Sequence, residues 1–162
     1  MAKEHNYAFI DGQNLYLGVS SLNWHFDYKR FRVYLKEKYG VSKAFLFIGY
    51  LSKEEKLYAY LRGCGFELVF KEVAKDSDGS PKGNVDVDLT LRAILQIEEY
   101  EQAILVTSDG DFAPLVGHLL SVGKLRAVLS PERKLCSWLL RKYAKSKVDY
   151  LDKARDKLKK HP

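Results

Sequence analysis

Three stretches of the chain place aspartate beside apolar runs. YAFIDGQN closes on Asp11, KGNVDVDL delivers Asp86, and AILVTSDGDF carries Ser108, Asp109 and Asp111. If the apolar runs are parallel strands, acids at two strand ends and one helix start fall on the same sheet edge, where open α/β sheets bind ligands. Carboxylates drawn that close repel one another and cannot all ionise unless a cation neutralises them. Oxygen donors with no accompanying His or Cys suit Mg²⁺ or Mn²⁺ rather than zinc. Each acid also has an ordinary structural role open to it. Asp11 can cap the helix that follows its strand, and Asp111 can be the N-cap before Pro114. Asp86 and Asp88 lie about 200° apart around a helix and point different ways. Asp88 has Arg92 four residues on, the spacing of a surface ion pair, which leaves Asp86 as the better ligand.

The elements that must position these acids are legible as an alternation of short apolar runs with longer amphipathic ones. Strands are expected over Tyr7 to Ile10, Lys43 to Tyr50, Glu67 to Val73, Ala103 to Thr107 and Arg126 to Leu129. Helices are expected near Leu15 to Leu22, Tyr28 to Lys38, Lys53 to Leu61, Val85 to Glu98, Pro114 to Ser121 and Arg133 to Tyr143. That order predicts an α/β fold, a three-layer sandwich with a mostly parallel central sheet. Gly40, Gly63, Gly65 and Gly123 stand where helices should stop, and Pro114 where one should start. The polar segment KDSDGSPKGN, from Lys75 to Asn84, reads as an exposed loop. Residues 1–151 read as one domain and 152–162 as a basic C-terminal helix or tail, with Asp152 near its N-cap.

The chain has 162 residues, of which 46% are hydrophobic and 13% aromatic. A single domain of this size buries very roughly 70% of its unfolded surface, so whole-chain disorder is not expected. The net charge is +6. From Arg141 onward there are nine basic residues and three acids, a patch that either attracts polyanions such as nucleic acid or forms a solvated helix face. No run approaches the roughly 18 apolar residues of a membrane span, and the opening MAKEHNYAFIDG has no apolar signal region. A soluble, cytoplasmic protein with no membrane partner is the expectation. Cys64 and Cys136 are far apart and read as reduced thiols, not as a disulfide or zinc framework.

The DGQN of Asp11 to Asn14, the KGNVDVDL of Lys82 to Leu89 and the TSDGDFAPLV of Thr107 to Val116 resemble the three signature segments of the NYN domain. This is the LabA-like branch of the PIN-like nuclease superfamily. Order and spacing match, and the resemblance covers nearly the whole chain, from Tyr7 to Leu129 and the helix that follows. It implies a PIN-like fold and a Mg²⁺- or Mn²⁺-dependent endoribonuclease site. In that site Asp11, Asp86, Asp109 and Asp111 are the catalytic, metal-holding acids. It further implies that Asn14 and Ser108 hold carboxylates or a phosphate oxygen and that Lys82 contacts an RNA phosphate. Such a metal lowers the pKa of a water and polarises the scissile phosphodiester, while the carboxylates fix its geometry. One departure stands out: relatives often carry another acid on the helix after VDV, and the corresponding position here holds Arg92. Fewer carboxylates would weaken metal binding, so a catalytically weak or inactive RNA-binding or regulatory module is the alternative.

Tyr16, Trp24, Phe26 and Tyr28 interleave with His25, Lys29 and Arg30, a pattern that serves base stacking as well as core packing, and the expected partner is single-stranded RNA. His118 shares a helix with Leu115, Leu119 and Leu120 and is expected in the core or an interface. The apolar LCSWLL stretch around Cys136 and Trp138 reads as core or as the contact of a homodimer. The DGD triplet superficially resembles that of haloacid-dehalogenase phosphatases, but Phe112-Ala113-Pro114 does not fit their pattern. A dinucleotide site is disfavoured because no GxGxxG follows the first strand.

Overall fold

The computed structural model describes residues 4–71, 74–75, 81–82 and 85–162. Its strands are β1 (Asn6–Asp11), β2 (Val41–Gly49), β3 (Phe66–Lys71), β4 (Ala74–Lys75), β5 (Pro81–Lys82), β6 (Ala103–Val106), β7 (Leu125–Ser130) and β8 (Val148–Tyr150). The helices are α1 (Gly12–Ser20), α2 (Tyr28–Tyr39), α3 (Glu55–Gly63), α4 (Asp86–Leu95), α5 (Ala113–Ser121), α6 (Trp138–Ala144) and α7 (Arg155–Leu158). Six strands form one parallel sheet in the order β3-β2-β1-β6-β7-β8. The sheet is α/β as expected, with one strand more than the hydropathy pattern shows. β4 and β5 form a separate antiparallel pair that begins at Ala74, one residue before the segment expected to be an exposed loop, and ends within it.

β1 and β6 are buried along their whole length because the sheet is covered on both faces. On one face Leu15 and Val19 of α1, Phe31 and Leu35 of α2, and Leu151 and Leu158 pack on Ala8, Ile10, Leu46, Ile104 and Leu129. On the other, Leu89 of α4, Leu115 and Leu119 of α5, and Leu140 of α6 pack on Phe9, Phe45, Phe47, Leu105 and Val128. The Phe9 and Phe45 rings stack at 5.7 Å across β1 and β2.

The chain leaves β1 outward through β2 to β3, then returns to add β6 on β1's other side. The carboxyl ends of β1 and β6 therefore lie at the point where the winding direction reverses, the crevice in which open sheets bind ligands. Ile10 pairs with Val106 and Asp11 with Phe47, so these ends are level.

Some local expectations hold and others are corrected. Asp27 caps α2, its carboxylate accepting from the Lys29 and Arg30 N–H groups, and Gly40 ends the helix at φ 64°. Asp111 does not cap α5; Asp109 instead caps a short 3₁₀ turn over Gly110–Phe112, which feeds α5 directly. Asp152 lies inside a 3₁₀ turn over Leu151–Ala154 and accepts from the Arg133 N–H at 3.4 Å. His118 is exposed, because α5 buries the Leu115, Val116 and Leu119 face and His118 falls on its flank. Arg92 makes no ion pair with Asp88 among the described residues; its guanidinium sits 5.5 Å from the Phe45 ring. The two cysteines are free. No helix among the described residues is long and apolar enough to cross a membrane.

Candidate metal centre

Asp11 ends β1 and caps α1 in one residue. Its Oδ1 accepts from the Asn14 N–H at 3.2 Å, while the strand carries its carboxyl to the sheet edge. The turn into α1 demands glycine: a Cβ at Gly12 would run into the Ile48 side chain and lie 2.8 Å from the Phe47 carbonyl oxygen. Asp86 opens α4 from the other face of the sheet, and Asp109 follows β6. One carboxylate oxygen from each of Asp11, Asp86 and Asp109 lies within 4.8 Å of the other two. Asp88 stays outside this group, as its position on the helix requires.

The electrostatics show the cost of this convergence. Burial, joined by the charges of Asp86 and Asp109, raises the Asp11 carboxyl to about 6, against the lowering effect of the bonds from Asn14 and Thr107. Burial also raises Asp86, followed by the charges of Asp109 and Asp111, with Lys71 pulling the other way. Asp111 is exposed, beyond the group of three but near enough for its charge to act on Asp86. Three carboxylates with no His or Cys among them offer oxygen donors of the kind a hard divalent cation takes.

The residues behind the acids are tied to one another. Asn14 Oδ1 accepts from both the N–H and the hydroxyl of Ser108, each at 2.9 Å. The Ser108 carbonyl accepts from the Ser137 N–H at 3.0 Å. The Asp109 Oδ1 accepts from the Asp111 N–H at 2.9 Å. Gly110 is held close to Ser137, whose side chain a Cβ there would meet.

The sequence profile of the NYN domain matches residues 7–151. The chain belongs to the NYN family. Low amplitude and bright protein LabA of Synechococcus elongatus is 24% identical over 114 residues, covering 64% of this chain and 61% of LabA. The chain thus spans less than two thirds of that relative's length. The crystal structure of a protein of unknown function from Vibrio parahaemolyticus superimposes with a TM-score of 0.80 at 29% identity, covering 98% of this chain and 97% of the other.

Within this NYN domain the structure brings together Asp11, Asp86 and Asp109, sets Asp111 at the rim, and joins Asn14 to Ser108 just behind. Lys82 lies in β5, and its side chain is outside the described residues. Two contributors carry no signal in the sequence reading. Thr107 Oγ1 donates to Asp11 Oδ2 at 3.5 Å and accepts from the Asp109 N–H at 3.1 Å, linking two of the acids. Its place in TSDGDF was visible, but a lone strand-end hydroxyl has no pattern of its own. Lys71, at the end of β3, acts on Asp86. It joins Phe47, Val69, Asp88 and Arg92 in lining a cleft of about 460 Å³.

Proposed function

We propose that this NYN domain is a Mg²⁺- or Mn²⁺-dependent endoribonuclease acting on single-stranded RNA. The observation that carries the reading is the meeting of Asp11, Asp86 and Asp109 within 4.8 Å at the sheet's switch point. Burial and mutual repulsion of these groups are relieved by a divalent cation, and no other residue type in the group competes for it. Asp11, Asp86 and Asp109 would hold the ion, with Asp111 adding a fourth carboxylate at the open side. When bound, Mg²⁺ or Mn²⁺ supplies Lewis acidity at the phosphodiester and a water of lowered pKa. Thr107 positions two of the acids through one hydroxyl, and the Asn14–Ser108 contact keeps their strand ends in register. In this role Lys82 meets a substrate phosphate.

The NYN family is nuclease-like, which supports the reaction class, and the spacing of the acids supports the metal. The competing reading is a domain that keeps the fold and binds RNA without cutting it, favoured by Arg92 packing on Phe45 where a further acid would serve. Cleavage of a labelled single-stranded RNA with added Mn²⁺, compared between the wild type and Asp109→Asn, decides between them. Asn keeps the cap accepted from the Asp111 N–H while removing the charge.

A further inference from the structure

The chain that holds the acidic centre carries a net charge of +6. Six of its cations line a groove of about 1140 Å³ between α2 and the C-terminal segment. Lys29, Arg30 and Lys38 line one wall and Lys153, Arg155 and Lys157 the other, with Glu37 and Asp156 the acids among them. Lys38 and Lys153 are already engaged, at 3.1 and 2.5 Å from Asp149. The Arg30 guanidinium donates to the Lys159 and Asp156 carbonyls at 2.8 and 3.1 Å, which fixes its place without cancelling its charge. Lys29, Arg155 and Lys157 are exposed, and among the described residues no ion pair engages them.

The groove wall is anchored. Leu151 and Leu158 are fully buried. The Asp27 N–H donates to the Leu158 carbonyl and the Lys160 N–H to the His25 carbonyl, both at 2.8 Å, around a β-bridge between Phe26 and Lys159.

One residue before Lys29 begins a different surface. Tyr28 shares a cavity of about 400 Å³ with Tyr16, Trp24 and Phe26. Phe26 meets Tyr28 edge-on at 5.1 Å and Trp24 at 6.3 Å. Tyr16 is 61% exposed and sits on α1 two residues beyond Asn14. Asp11, Tyr16, the aromatic residues Trp24, Phe26 and Tyr28, and Lys29 thus follow one another in the chain from the start of α1 into α2.

We propose that this path binds a single strand of nucleic acid, with bases stacked in the aromatic cavity and backbone phosphates on Lys29, Arg155 and Lys157. Its identity as the substrate's exit or entry path rests on the ribonuclease reading; its binding does not. Stacking requires unpaired bases, whereas a duplex offers these rings nothing. An acidic protein segment would satisfy the cations and leave the rings unused.

The test is fluorescence anisotropy of a labelled oligouridine strand in EDTA, across a salt series, for the wild type and two variants with wild-type melting curves. The triple variant Lys29→Ala/Arg155→Ala/Lys157→Ala should bind at least about tenfold more weakly, with the slope of log Kd against log salt reduced by about 2. Tyr16→Ala should weaken binding by about fivefold or more with the slope unchanged. Unchanged affinity and slope in the triple variant would overturn the proposal. So would equal binding of duplex RNA, or polyglutamate binding as tightly with the same dependence on the three cations. Cleavage plays no part in the measurement. Groove-dependent binding by a protein that cuts nothing upholds the groove and refutes only the nuclease.

Discussion

Asn14 Oδ1 receives two hydrogen bonds from one residue, the N–H and the hydroxyl of Ser108, each 2.9 Å long. The first turn of α1 is thereby tied to the residue between Thr107 and Asp109, so the ends of β1 and β6 cannot slide apart without breaking both bonds. Replacing Asn14 with Ala leaves a buried N–H unpaired, at about 1–3 kcal/mol. Asn14→Ala is expected to lower stability by that amount in urea unfolding and to weaken Mn²⁺ binding measured by calorimetry. Unaltered metal affinity would show that the tie does not position the acids.

Asp11→Asn separates fold from site in the opposite direction. The folded carboxyl titrates at about 6 against an ordinary value of 3.8. The folded state therefore holds this proton more tightly than the unfolded one, and stability declines as pH rises from about 4 through 6. At neutral pH in EDTA the wild type carries a penalty of about 2–3 kcal/mol that Asn, which can still cap α1, does not. The variant should melt above the wild type in EDTA and gain nothing from Mn²⁺. A variant less stable than the wild type in EDTA would contradict the electrostatic origin of the shift.

The same group sets the acid limit of metal binding. Below pH 6 Asp11 takes up a proton before a cation can bind, so Mn²⁺ affinity should fall by about tenfold per pH unit there. Isothermal titration at several pH values reads this directly, and an affinity constant down to pH 4 would exclude Asp11 as a ligand.

Far from the centre, Asp149 acts with the other sign. Burial would raise it, but hydrogen bonds from Lys153, the Tyr150 N–H, Lys38 and Tyr39 hold it at about 2. Its contribution is present above about pH 4 and is lost as pH falls toward 2. After solvent screening Asp149→Asn should cost about 1 kcal/mol at pH 7 and flatten the acid limb of the stability profile. Matching acid unfolding curves for the two proteins would dismiss the contribution.

What the sequence disclosed follows from how local each feature is. β1 and β6 announce themselves because a parallel strand covered on both faces is continuously apolar. Asp11 and Asp86 were legible because strand ends and helix geometry are local. The helical period showed that only one of Asp86 and Asp88 could face the site. Asp86 is the one that does, although the Asp88–Arg92 ion pair used to choose it does not form. β8 was not visible, since Val148–Tyr150 is three half-buried residues with a charge in the middle. The cap falls on Asp109 and not on Asp111 because a 3₁₀ turn intervenes before α5, and nothing in GDF distinguishes it from a helical start. The docking of the C-terminal segment depends on Leu151 and Leu158 meeting a surface built more than a hundred residues earlier. Arg92 has a partner at helical spacing in Asp88 and yet turns to Phe45, a choice made only when α4 lies on the sheet.

Cleavage of a labelled single-stranded RNA during Mn²⁺ titration, run on the wild type beside Asp109→Asn, tests the central claim most directly. Metal-dependent cutting by the wild type that disappears in the variant, with the melting temperature in EDTA preserved, is the expected result. Equal cutting by both proteins, or none by either while Mn²⁺ binds Asp11, Asp86 and Asp109, would contradict a ribonuclease centred on these acids.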